Sequence, residues 1–395
     1  MFDSTSVILV ARLRSGVVYS EESFCMKRFF LFLIAVGLIG GIGWLTSSRH
    51  VMPQPDATVN STTDPPSDFA GSYHRRASVD PERPLETGAT NLLTKLLNGD
   101  ESVKVDPTEL ASFLEASHRS AESLLGAFRA TGDRSFLKEA VEKAPLDPRV
   151  AFAAYHFAEK VDYNEPATPE RRRFLENLKA ADPQNSMGNF LSARDYFKAG
   201  APEKALAEMT DGLARTAYQD YSVEFIQNAE EAYLAAGVSA AVAKVQACSE
   251  LPLPHLAELK KLEQNLVDLA NTYRQAGDEA SAQAALQLGA GLSDRLRYSG
   301  NQFLIQDLVG VAAERILLDG MDPSAAYGAD GQTVKDRLDQ ITHEREELKA
   351  QGKQIEAILP MMSEQDLVAY FDRIKLLGEA SASRWAVGKY GQPGK

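Results

Sequence analysis

Leu-Val-Asp-Leu-Ala-Asn-Thr-Tyr-Arg-Gln-Ala-Gly-Asp-Glu-Ala-Ser-Ala-Gln-Ala-Ala-Leu-Gln-Leu-Gly, residues 266–289, reads as two helices and the turn that joins them. Leu266, Leu269, Ala270 and Tyr273 recur at the spacing of one helical face. Gly277-Asp278 breaks that run, because glycine weakens a helix and permits left-handed backbone that other residues avoid. Ala282, Leu286 and Gly289 then line a second face with small and apolar side chains. Small residues at a crossing let two helices approach closely, so the stretch predicts a tightly packed helical hairpin.

The same punctuation recurs along the chain. An aromatic residue stands four positions before a glycine at Phe128 and Gly132, Tyr196 and Gly200, Tyr233 and Gly237, and Tyr273 and Gly277. From Gly132 to Gly200 is 68 residues, two periods of 34, and the next two intervals are 37 and 40. Asp147-Pro148 and Asp182-Pro183 add two Asp-Pro pairs. On these residues the chain resembles the tetratricopeptide-repeat family, which places proline at the unit boundary, where Pro148 and Pro183 fall. The resemblance implies an all-α fold of antiparallel helix pairs stacked as a TPR-like α-solenoid over residues 89–293, with the aromatic and glycine positions packing each repeat. It also implies a binding scaffold, in which the first helix of each pair lines a groove for an extended peptide or a partner helix. By their position on those helices, Asn189, Arg194, Tyr221, Asn228, Asn265 and Arg274 are the candidate groove residues.

Residues 108–131 and 135–143 are expected to form the first pair, with Pro107 at a helix start that tolerates it. The pair over 149–181 is interrupted at 161–169 by an insertion whose Pro166 and Pro169 stop the first helix. Units at 186–212 and 223–247 follow, and Leu251-Pro252-Leu253-Pro254 breaks the array before the opening hairpin. Residues 294–395 lack the repeat signature and are expected to form a helical region that caps the array and is a candidate surface for homo-oligomers. Within it, Val334, Leu338, Ile341 and Leu348 form a narrow apolar stripe on a charged helix, half of a short coiled coil in one reading. Leu367, Tyr370, Phe371, Ile374 and Leu377 give the helix after Ser363 its buried face.

The N-terminal part differs in kind. Residues 29–45 carry no charge and follow Lys27-Arg28, which predicts a transmembrane helix or signal anchor over 26–45 with a cytoplasmic N-terminus and an exported C-terminal domain. Secretion after signal cleavage is the alternative, and Met26 is a second possible start that would make 1–25 an extension or short cytoplasmic segment. Residues 46–88 hold six of the eighteen prolines among Ser, Thr and Asp, a composition that buries too little apolar surface to order itself and reads as a tether.

The net charge of -13 repels phosphate backbones, so nucleic acid is not an expected partner; a protein or peptide of the envelope is, together with the membrane through residues 29–45. Two cysteines, Cys25 and Cys248, make no disulfide framework, and Cys248 reads as a buried inert thiol. The six histidines are scattered, with no two at a metal-binding helical spacing. His156 reads as a structural core histidine and His343 as solvated, while the acid pairs Glu230-Glu231 and Glu346-Glu347 read as solvent-facing. No nucleophile elbow, metalloprotease or phosphate-loop motif is present, so no catalytic, cofactor or metal residue is assigned. The expected role is a non-enzymatic scaffold; an envelope hydrolase built on an α-solenoid and a self-associating structural subunit are the alternatives.

Overall fold

The computed structural model describes residues 95–96, 103–299, 303–328 and 331–391, and these fold as helices with no strand among them. Short polar side chains start many of the helices. Asp106, Ser120, Asp133, Asp147 and Thr168 each accept a hydrogen bond from a first-turn N–H that the helix itself leaves unsatisfied. They open α1 (Pro107–Ala116), α2 (Ala121–Thr131), α3 (Arg134–Lys143), α4 (Pro148–Phe157) and α5 (Pro169–Ala181). After these come α6 (Met187–Lys198), α7 (Pro202–Leu213), α8 (Ser222–Ala235), α9 (Ala240–Ser249), α10 (Pro254–Gln275) and α11 (Glu279–Tyr298). The C-terminal part holds α12 (Leu304–Asp319), α13 (Val334–Ile358), α14 (Glu364–Leu377) and α15 (Glu379–Tyr390).

The four glycines of the repeated pattern sit at the ends of α2, α6, α8 and α10, and all four have positive φ, between 67° and 81°. At three of them the aromatic carbonyl accepts the N–H just past the glycine: Ala201 to Tyr196, Val238 to Tyr233 and Asp278 to Tyr273, at 2.9–3.1 Å. The glycine N–H meanwhile reaches the next carbonyl, as from Gly277 to Arg274 at 3.0 Å. That pair of bonds is the Schellman motif, which closes a helix end and needs left-handed backbone at the glycine. Gly132 makes the simpler version, with one bond to Phe128. Gly277→Ala is therefore expected to destabilise by about 1 kcal/mol, measured as a shift in denaturation midpoint, although nothing lies within 4 Å to obstruct the added methyl. Gly352→Ala, in the middle of α13 with a negative φ, is the control expected to move the other way.

Sequential helices pack as hairpins: α2 with α3, α4 with α5, α6 with α7, α8 with α9, and α10 with α11. Gly212 on α7 and Gly289 on α11 hold the close approaches that small residues signal. A Cβ added at Gly212 meets the Phe190 ring at 2.8 Å, and one added at Gly289 meets Leu317 at 3.0 Å as well as the Glu263 carboxyl. Stacking does not stay between sequence neighbours, however. α2 packs on α8 and α6 on α10, so hairpins distant in sequence are side by side. Gly126 makes the first crossing possible, since a Cβ there falls on the Asn228 carbonyl.

Several expectations are corrected. The helix anticipated over 108–131 is two, α1 and α2, because His118 and Arg119 take left-handed backbone and the Ser117 hydroxyl turns back to the Phe113 carbonyl. The C-terminal helices do not simply cap the last hairpin. α14 packs on α9, α15 on α13 and α14, and one apolar core runs from Leu96 to Ala386. The α13 stripe is consumed internally, with Val334 and Ile341 buried against Val311 and Leu318 of α12. Leu377, expected on the buried face of α14, is exposed, whereas Leu367, Tyr370, Phe371 and Ile374 are buried. No helix among the described residues is long and apolar enough to cross a membrane; the anchor expected at 26–45 and the tether at 46–88 lie outside the described residues.

Candidate functional site

The six candidate groove residues do not share an open face. Asn189, Arg194, Tyr221 and Asn228 are buried rather than set on an open helix face, and Asn189, Arg194 and Tyr221 are turned toward partners within the fold. Asn189 donates to Glu208 across the α6–α7 hairpin at 2.8 Å. Tyr221 donates to Asp182 at 2.8 Å and accepts from Asn185 at 3.0 Å. Arg194 lies 3.9 Å from the buried Glu258. Asn265 and Arg274 are half-buried, and Arg274 donates to the Gly320 carbonyl at 2.7 Å. Of the repeat-packing aromatics, Phe128 and Tyr233 are buried, and Tyr196 and Tyr273 are partly so.

Asn228 lines an open feature, a cleft of about 430 Å³ between α8 and α14. Val223, Glu224 and Gln227 from the start of α8 form one wall, and Asp372, Lys375 and Leu376 from α14 form the other. Charge pairing fixes the floor. Glu230, expected in solvent, is buried and bridges Lys244 and Lys375, each at 2.5 Å. Lys244 also holds Asp372 at 2.5 Å. Burial works against the Lys244 ammonium, but its hydrogen bonds to Asp372 and Glu230 outweigh that and hold its pKa above the ordinary lysine range. Leu376, which lines the cleft, is 79 % exposed, and the next residue, Leu377, is 65 % exposed. The sequence reading missed Lys375 and Leu376; the available signal was two adjacent leucines directly before the helix-ending Gly378.

A second polar centre lies inside the protein. The first turn of α10 places His255 and α12 places Gln306 against Asp220, and α4 sets His156 beside His255. His255 Nε2 stands 3.0 Å from Asp220 Oδ2, which also accepts from Gln306 at 2.6 Å. Burial alone would raise the Asp220 carboxyl, but its contact with His255 and the bonds from Ser222 hold it below its usual range. His156 stacks edge-on to Phe152 and Tyr155, each at 4.8 Å between ring centres, and neither of its nitrogens has a hydrogen-bond partner. Burial first, then the neighbouring His255 and Arg171, push its pKa well below the ordinary value. Paired His and Asp can orient a proton acceptor, but general acid-base work needs contact with substrate, and His156, His255 and Asp220 are all buried.

Among the described residues no group of three or more His, Cys, Asp or Glu is placed to hold a metal ion. Cys248 is buried, and burial raises its thiol far above the reactive range. His343 is exposed and lies 3.1 Å from Glu347 on its own helix. Compared with known protein families, curated proteins and solved structures, the chain matches none.

Proposed function

We propose that the protein is a membrane-anchored, non-enzymatic binding scaffold of the cell envelope that takes a protein or peptide partner at the α8–α14 cleft. The carrying observation is Leu376, exposed on a cleft beside the paired Glu230, Lys375 and Asp372, with Leu377 exposed next to it in sequence. An apolar anchor beside fixed polar groups is the composition from which interface hot spots are built: burying the leucines releases water without unpairing a charge. The hairpins with glycine turns support reading α2–α3, α6–α7, α8–α9 and α10–α11 as TPR-like units, here with cross-packing added to a solenoid plan. On this reading residues 26–45 are the anchor, and a tether of roughly 40 residues gives the domain a reach of about 35 Å from the membrane.

The hydrolase alternative requires His255 and Asp220 to meet a substrate, and their burial counts against it. Self-association through α14 and α15 uses the same exposed leucines, so one experiment separates it from partner binding. A photo-crosslinking residue at position 376 of the full chain in native membranes is expected to yield one adduct of discrete mass, lost in Leu377→Asp and not formed from the exposed control position 146. An adduct of twice the chain mass would favour the structural subunit, and equal labelling from 146 and 376 would sink the cleft as the binding surface.

A further inference from the structure

The ends of α9, α12, α13 and α14 and the start of α15 enclose a second cavity, of about 90 Å³. Its wall is almost wholly apolar, with Leu308, Ile355 and Phe371 among the lining side chains. Two carboxyls line it: Glu356 of α13, which is exposed to solvent, and Glu379, which stands against the apolar side chains. Glu379 Oε2 accepts the Leu304 N–H at 2.8 Å, and no ion pair joins Glu379 to a cation among the described residues. Glu379 is half-buried, and the fully buried acids of the protein are neutralised differently. Glu230 has two lysines, Glu258 has Lys198, and Glu314 has Arg297 and Arg337. Glu263 has no ion pair among the described residues either, but Gly289 packs directly over it and burial raises its carboxyl well above the ordinary range. Glu379 lines this cavity, and burial, with a smaller push from the neighbouring Asp307, raises its pKa to about 7, within reach of ionisation near neutrality.

Gly352 supplies an independent observation. It lies in the interior of the 25-residue α13, where glycine is the poorest helix former after proline, and it lines this cavity. An added Cβ there meets nothing within 4 Å, so neither close packing nor positive φ accounts for the glycine. Its effect is to leave the cavity unblocked along one wall. A local rule broken without a packing reason marks a position where space itself is used.

We infer that this cavity is a binding site for an aliphatic primary amine, with the ammonium against the Glu379 carboxylate and the hydrocarbon among Leu308, Ile355 and Phe371. A charge buried in an apolar wall is costly unless it is paired, and a ligand cation supplies the partner that the chain lacks. The apolar lining takes up the chain, and the small volume limits it to a short one.

The test is isothermal titration calorimetry of the full chain in nanodiscs with n-hexylamine, n-hexanol and hexanoate, against empty nanodiscs. Saturable one-to-one binding of hexylamine is expected at pH 8, with a dissociation constant of about 1 mM or tighter. Affinity is expected to fall about tenfold at pH 6, where Glu379 is mostly protonated, while hexanol stays pH-independent and hexanoate binds least. Glu379→Gln is expected to abolish the preference for amine over alcohol, and Gly352→Phe to block both ligands while retaining the helical circular dichroism of the parent. Hexylamine bound no better than hexanol, or bound equally by Glu379→Gln, would overturn the ammonium assignment. No saturable binding of any of the three, or full binding by Gly352→Phe, would overturn the site.

Discussion

Glu258→Ala is expected to lower the stability of the protein by about 3–5 kcal/mol, the cost of leaving buried charge without its partner. Glu258 on α10 holds Lys198 of α6 at 3.1 Å, with side-chain exposures of 1 % and 2 %. Arg194, one turn earlier on α6, is also buried beside it, and its Nε has no other partner. Burial already pulls the Lys198 pKa down against the attraction of Glu258, so removing the carboxylate leaves an ammonium that must either deprotonate or drag water into the α6–α10 contact. Glu258→Leu combined with Lys198→Met is expected to recover most of the loss, since an apolar pair of similar size removes both charges together. Urea denaturation followed by far-UV circular dichroism measures all three. A loss below about 1 kcal/mol for Glu258→Ala would mean that water reaches the pair and that α6 and α10 do not pack as described.

This contact also shows where sequence reading stops. The glycine turns were legible because the signal is local: a residue three positions inside a helix end, a left-handed glycine and the bonds between them lie within six residues. The break at Leu251-Pro252-Leu253-Pro254 was legible for the same reason, and α10 starts at its last proline. Gly126, Gly212 and Gly289 announce that something passes close by, but not which helix. The partner of Gly126 is α8, reached only after two intervening hairpins. Polar residues were assigned outward from helical periodicity alone. Arg194, Tyr221 and Glu230 are turned inward by partners on other elements: Glu258 on α10, Asp182 after α5, and Lys375 on α14. The break between α1 and α2 carried no glycine or proline, because His118 and Arg119 adopt the left-handed turn that such residues seldom take. Leu377 was misplaced because periodicity continues to the helix end, whereas the packing surface of α14 ends at Ile374.

Acid is expected to weaken the fold through His156 in a window that opens below about pH 6.5. The folded protein holds this imidazole neutral, since it is buried without a hydrogen-bond partner and faces His255, Arg171 and Lys198. The unfolded chain protonates it near the ordinary histidine pKa of about 6.5. Above that value neither state binds the proton and His156 contributes no pH dependence. As pH falls toward the depressed folded pKa, only the unfolded chain gains a proton, and stability drops by about 2 kcal/mol by pH 5. Glu263 and Glu379 work in the opposite direction. Their folded pKa values are raised, so their protonation stabilises the fold as pH falls through neutrality toward the unfolded carboxyl value of about 4.5. The total curve therefore mixes both signs, and the informative quantity is the difference between the parent and His156→Phe, which suits an environment of Phe152, Tyr155 and Phe157. That difference is expected to be nearly constant from pH 8 to 7 and to move in favour of the variant between pH 6.5 and 5. A flat difference across the whole range would show that His156 keeps an ordinary pKa, with water or an anion reaching the centre between α4 and α10.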